Sequence, residues 1–479
     1  MKDNIYANIQ KNLRGKGINV ASCSIYDLIQ LWKQWYRGNV DKFHLYTIKD
    51  AEGKIVNKER LTLNMAKLVS EDFAKLLWTE KTQINLDNKE KTKKMWEILD
   101  SKKNSFSVNF PIFLERVFAL GTGMLIEYVD NDEIIIDYVD AECIIPYNYT
   151  NGYIYGVITV SRTTENATDD EKQYKNILTF HEYSNGVYSK YSQLFIAKDE
   201  KDLGEEVPFE EYYPNVENPV IIKTDVPLFQ IIKPNIANNF DTDSPMGISI
   251  YANCIDKMIA ADKEYDSFDK EFELGRKRVA VDQTALKATT SIQDGKVSQT
   301  RYLDTDDLVY VAIPGMEHQP IKEIDMSLRT QEHIDGINFQ LNMLSIGLGF
   351  GTERYRFDGK GVKTATEVIS ENSETFRTRE HHLIVVKDVV YDLVKSICFL
   401  AGIDTKEINI VSDDSIIEDN AKKKQEDIQE VNAGLKSKKR YLMENKGLSE
   451  QEAIEELNTI KEENKGNTFA EYDPGDDGE

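Results

Sequence analysis

The side chains best placed to do chemistry in this chain are the cations of a glycine-flanked loop. Arg354, Arg356, Lys360 and Lys363 follow the run Gly347-Leu348-Gly349-Phe350-Gly351. Guanidinium and ammonium groups on such a segment are poor core material and suit weak, salt-screened contacts to phosphate oxygens. The glycines invite a nucleotide reading, but they follow a helical pattern rather than a strand. Arg354 also stands where a Walker loop leading to Gly359-Lys360 needs a glycine, so the phosphate cradle is absent and a flexible loop is the better account.

Other candidates give way to plainer readings. His381 and His382 are adjacent, about 100° apart on a helix, and cannot share a metal as an i, i+4 pair could; they read as solvated or interface histidines. Asp130-Asn131-Asp132-Glu133 has acidic turn chemistry, yet Ile135 replaces the glycine an EF-hand loop needs. Asp304, Asp306, Asp307, Asp413 and Asp414 suit a two-metal nuclease, but no histidine or lysine stands near them in sequence, and loop and cap roles are the default. Lys422 to Lys424, Lys436, Lys438, Lys439 and Arg440 read as solvated helix faces. No catalytic residue, metal site or cofactor site is assigned.

The elements that must hold the loop are two helices. The one before it covers about 20 residues from Ser327 and ends at Gly347. The one after it opens with a capping box, Thr364-Ala365-Thr366-Glu367, and meets no proline before Gly402, which allows about 38 residues or roughly 57 Å. Leu383, Val386, Val390, Leu393, Ile397 and Leu400 form a single apolar seam on its second half, while its first half is polar around Phe376 and faces solvent or a partner. A further helix is expected from Pro245, capped by Asp243 or Ser244, to about Leu274. Its apolar stripe is accompanied by Asp256, Asp262, Glu264, Asp266, Asp269, Glu271 and Glu273, read as one acidic surface.

Around these, helices are expected at 21–37 with Ser24 as cap, 61–78, 87–99 and 107–120, with a strand at 82–85. Hairpins turn at 130–132 and at Asn185-Gly186, a strand covers 152–161, and 199–220 is a loop. Short strands fill 279–325, including 301–304 and 308–313 with a Pro314-Gly315 turn. A strand follows at 407–411, then polar helices over 415–461, and an acidic tail too polar to fold. The fold class is α+β.

Composition narrows the function. The chain has 479 residues, 40% of them hydrophobic, and a formal charge of −24, which argues against ordinary duplex binding. The four cysteines, Cys23, Cys143, Cys254 and Cys398, are scattered and read as reduced thiols, with Cys254 and Cys398 as core fillers. The first residues lack the apolar run of a signal peptide, and Lys387, Asp388, Asp392 and Lys395 interrupt the most apolar part of the long helix, so no membrane span is expected.

Several segments then line up in order. Leu31-Trp32-Lys33-Gln34-Trp35-Tyr36-Arg37-Gly38, the Arg60 to Lys67 run, Ile232-Lys233-Pro234-Asn235 through Pro245-Met246-Gly247-Ile248-Ser249, and Lys363-Thr364-Ala365-Thr366-Glu367-Val368 together resemble portal proteins of tailed double-stranded DNA phages of Gram-positive bacteria. The similarity covers about residues 20 to 460. It implies an elongated subunit of a ring, usually of twelve copies, around a DNA channel at one capsid vertex of the virion, assembled in the host cytoplasm. By that resemblance 1–242 is the wing, completed by strand 407–411 within 404–414. Residues 243–275 and 327–349 are stem helices, 276–326 the clip, 350–363 the tunnel loop, 364–403 the long wing helix and 415–464 the crown. The acidic tail, 465–479, has no counterpart. The implied partners are further copies of the chain, major capsid and scaffolding proteins, the terminase large subunit that supplies the ATPase, a head-completion adaptor, and DNA sliding past an acidic wall without being trapped. Rival readings are another phage head-tail or baseplate component, and a metal-dependent nuclease.

Overall fold

The structure is a computed structural model that describes residues 5–49, 53–168, 171–275, 278–282, 287–293, 296–302, 310–313, 321–324, 327–356, 365–412, 427–446 and 450–466. The chain divides into two compact units, Met1–Ser412 and Asp413–Glu479.

The first unit begins with helices α1 (Ile5–Gly15) and α2 (Ser24–Tyr36) and hairpin β1 (Leu45–Lys49) with β2 (Ile55–Glu59). Next come α3 (Met65–Leu77), β3 (Gln83–Leu86), α4 (Lys89–Leu99) and α5 (Phe106–Leu120). Helix α1 was not anticipated, although Tyr6, Ile9 and Leu13 carry the helical period and the last two are fully buried. The β1–β2 hairpin replaces an expected polar connection. Cys23, not Ser24, occupies the position before α2; the Ser24 hydroxyl donates to Asp241 instead.

Strands β4 (Gly123–Asp130) and β5 (Glu133–Asp140) form the anticipated hairpin, with Asn131 and Asp132 both at positive φ, the twist a two-residue turn requires. β6 (Ile144–Thr150), β7 (Tyr153–Thr168), β8 (Glu171–Ser184), β9 (Val187–Ala197) and β10 (Glu205–Val207) make an antiparallel meander. The short helix α6 (Phe209–Tyr212) follows within the expected loop. β11 (Val220–Lys223) then pairs with β9, and β12 (Phe229–Ile232) closes the second sheet in the order β12-β4-β5.

Helix α7 (Ile255–Leu274) starts ten residues later than Asp243-Ser244-Pro245 would place it. The intervening stretch is held by tertiary contact: Gly121, at φ +87°, lies so close to Gly247 and Ile248 that a side-chain carbon on Gly247 would fall 2.2 Å from the Gly121 carbonyl oxygen. Ile250 N–H donates to Phe118 O, and Gly247 N–H to Thr122 Oγ1. These bonds hold the backbone out of the helix that local sequence favours.

Five short strands follow: β13 (Arg278–Asp282), β14 (Lys287–Gln293), β15 (Lys296–Tyr302), β16 (Tyr310–Ile313) and β17 (Ile321–Ile324), with β16-β13-β17 one sheet and β14-β15 a hairpin. The Pro314-Gly315 turn lies outside the described residues. Helices α8 (Thr330–Gly347) and α9 (Ala365–Leu400) come next, and β18 (Ile408–Val411) pairs antiparallel with β3, more than 300 residues earlier in the chain.

The seam read from sequence packs α9 into the core. Leu383, Val386, Val390, Leu393 and Ile397 are all at most 3% exposed, each contributing about 1.5–3 kcal/mol of burial. The polar half of α9 is less solvated than its composition suggests. Arg379 is 2% exposed and its Nε donates to Leu76 O, while Nη1 pairs with Glu380. Thr364 of the expected capping box lies outside the described residues.

In the second unit α10 (Lys438–Lys446) and α11 (Glu450–Gly466) pack together, and buried Asp427 receives Lys436 Nζ at 2.7 Å and Asn445 Nδ2 at 2.6 Å. The acidic tail beyond residue 466 lies outside the described residues.

Candidate functional site

The helix before the loop, α8, is fastened at both of its ends by α7 and the residue before α7. α7 and α8 pack against each other, and Gly347 permits their close approach, since a side-chain carbon there would meet Cys254 Sγ at 2.7 Å. At the opposite end Glu271 takes Arg329 bidentately, at 3.1 Å to Nε and 2.8 Å to Nη2, and accepts Arg329 N–H as well. These bonds from Arg329 hold the Glu271 carboxyl down to about 2.

The loop's first part is pinned rather than flexible. Leu348 and Phe350 N–H groups return to Leu344 O and Ser345 O, closing the helix end. Phe350 is buried against Phe73, with ring centroids 4.8 Å apart. Gly349 takes φ +80° beside Thr378 of α9, whose hydroxyl donates to Gly349 O. Arg354 then makes a bidentate bridge to Asp72 of α3, 2.8 and 2.7 Å, and lies 4.9 Å over the Phe350 ring. The Tyr355 hydroxyl donates to the same carboxylate at 3.0 Å, and Arg356 pairs with Glu353, a non-glycine residue at φ +74°. Together α3 and the loop root line an open groove of about 510 Å³, bounded by Met65, Leu68, Lys75, Tyr355 and Arg356. The two remaining candidate cations, Lys360 and Lys363, lie outside the described residues, as does everything from 357 to 364.

The seven acids of α7 do not form one surface. Asp262, 2% exposed, accepts Leu63 N–H at 2.8 Å, Thr62 O–H at 2.9 Å and His44 Nε2 at 3.1 Å. Val40 N–H donates to His44 Nδ1, so the ring proton sits on Nε2 and points at Asp262. Asp266 accepts Leu61 N–H and Lys270 Nζ and has Arg60 alongside; Glu271 holds Arg329. These three are internal fastenings, and they explain why α3 begins at Met65 rather than Leu61: residues 61–63 stay out of the helix to serve Asp262 and Asp266. Glu264 is half-buried, and Asp256, Asp269 and Glu273 are exposed.

His382 and His381 also serve the fold. Asn235 N–H donates to His382 Nδ1 at 3.1 Å, Asn235 Nδ2 donates to His381 O at 2.6 Å, and His381 Nε2 lies 2.6 Å from Asn235 O. His382 packs edge-on to Phe73 and Phe118, and burial pushes its imidazole down to about 4. Of the two expected solvated or interface histidines, His382 is buried and His381 is exposed.

The acidic pair Asp306 and Asp307, with Asp304, Asp413 and Asp414, lies outside the described residues. Among the described residues no three histidine, cysteine, aspartate or glutamate side chains gather in a way that would hold a metal ion. No helix among them is long and apolar enough to cross a membrane.

The family described as "Phage portal protein, SPP1 Gp6-like" matches residues 23–468. The chain belongs to that family, and with it to the components of the phage virion. One similar solved structure is described as "Neck of empty GTA particle computed with C6 symmetry"; it aligns with a TM-score of 0.44 and 10% identity over 90% of this chain and 96% of that one. No curated protein matches the chain.

Proposed function

We propose that this portal protein assembles as a closed ring, of twelve copies in the virion, at one capsid vertex, and that DNA enters and leaves through its centre. The observation that carries the reading is the helix–loop–helix at 330–400 in a chain of this family. Its described roots are fastened to α3 and α7 by Arg354–Asp72 and Arg329–Glu271, and we assign Lys360 and Lys363 to the bore. A ring of subunits each carrying a net −24 repels the phosphate backbone, so a duplex slides, while a few loop cations give weak, screened contacts. Cyclic closure converts one helix pair per subunit into a continuous wall. In this reading 276–326 meets the terminase large subunit during packaging and the head-completion adaptor afterwards, and the outer parts meet capsid and scaffolding proteins. The energy for translocation comes from the terminase ATPase.

The test is Lys360→Glu with Lys363→Glu, which leaves the Arg354 and Arg356 ion pairs in place. Expected is normal assembly with less DNA packaged or retained per capsid. Unchanged DNA per capsid removes the loop cations from the mechanism.

A further inference from the structure

A buried carboxyl group facing a buried primary amide has one fully satisfied arrangement, in which the acid donates to the amide carbonyl and the amide donates back. Glu127 of β4 is 1% exposed and faces Gln230 of β12 and Ser396 of α9. Its Oε2 accepts Gln230 Nε2 at 3.0 Å and Ser396 Oγ at 2.9 Å. The second oxygens of both groups, Glu127 Oε1 and Gln230 Oε1, are buried with no hydrogen-bond partner. In-plane pairing of the two groups along this edge would set these oxygens face to face, where two acceptors repel unless one carries a proton.

We propose that Glu127 is a neutral acid whose Oε1–H donates to Gln230 Oε1, closing a two-bond acid–amide pair that, through Ser396, makes a proton-dependent latch between helix α9 and the β12-β4-β5 sheet. The surroundings agree. Burial pushes the Glu127 carboxyl up to about 8, and Asp392, one turn before Ser396 on α9, adds to the rise; no cation is among the groups that shift it. Among its neighbours, burial raises the phenols of Tyr188 on β9 and Tyr138 on β5, and burial with the nearby Lys190 cation pushes His181 on β8, bonded to the Tyr188 hydroxyl, down to about 3.

Ionisation sends the Oε1 proton to solvent and leaves two acceptors opposed, so the seam loses its second bond. A carboxyl raised in the folded state keeps a proton that the unfolded chain has lost. Its contribution is therefore complete below about 4.5 and is lost as pH rises to about 8. The unfolding constant changes roughly tenfold per pH unit across that window.

Glu127→Gln preserves the shape and replaces the acid O–H with a permanent amide N–H. Denaturant unfolding of wild type and Glu127→Gln from pH 5 to pH 9 should show the ratio of their unfolding constants shifting by roughly a thousandfold between pH 5 and pH 8, other titrations cancelling. A ratio that stays constant overturns the proposal. Difference infrared spectroscopy of the wild-type protein supplies the second arm and does not depend on the variant folding. A protonated-carboxyl carbonyl band present at pH 7 and lost as pH passes about 8 supports the latch, and no such band at pH 7 overturns it.

Discussion

Replacing Asp262 with alanine should release the segment at 61–64 from α7. The carboxylate accepts three donors, the half-buried Leu63 N–H and Thr62 hydroxyl and the buried His44 Nε2–H. The hydroxyl can rotate toward another acceptor, but the backbone N–H and the imidazole are fixed, the latter by Val40 N–H on its other nitrogen. Two stranded donors at about 1–3 kcal/mol each give a loss of about 2–6 kcal/mol. Asp262→Asn should fall between, because it keeps one acceptor oxygen for Leu63 yet turns its amide toward both Thr62 and His44, which share Oδ2. Exposed Asp269→Ala, on the same helix, should stay within about 0.5 kcal/mol of wild type. Urea unfolding with the midpoint read at constant slope measures all three. If Asp262→Ala and Asp269→Ala unfold at the same midpoint, Asp262 is not a fastening and the argument that α7 spends its buried acids on the fold is wrong.

Two further outcomes follow from the site. Arg354→Ala removes a bidentate bridge and a cation over Phe350, and should cost about 1–2 kcal/mol while speeding amide hydrogen exchange across 348–356; unchanged exchange there would mean that Asp72 does not hold the loop root. His382 responds to pH with the opposite sign to Glu127. Its folded value lies near 4 against an ordinary 6.5, so its contribution is present above 6.5 and is lost as pH falls toward 4, by up to roughly tenfold in the unfolding constant per pH unit. Replacing His382 with Gln should flatten the acid limb of the stability profile, and an unchanged limb would place the titrating group elsewhere.

What was legible in the sequence was local. The length and seam of α9, the turn at 130–132, the Asn185-Gly186 hairpin and the strand at 408–411 all rest on period or turn chemistry within a few residues. The segment before α7 and the roles of its acids were not legible, because their partners are far away in the chain: Leu63 and Asp262 are 199 positions apart, and Gly247 answers to Gly121. A signal was nevertheless present for Asp262 and Asp266, which stand four and eight residues after buried Met258 and so continue its face of the helix. The same distance effect hid the pinned loop root, since nothing in 350–356 announces that Asp72 will receive Arg354. Helix α1 was missed for a different reason: its apolar residues are few and spread through a polar stretch.

The account stands or falls on assembly. Light scattering of the purified protein, with negative-stain images of the same sample across a range of salt concentrations, should give a mass many times that of one 55.0 kDa chain and rings with an open centre. A species of one-chain mass in every condition, with no rings in any field, would contradict it.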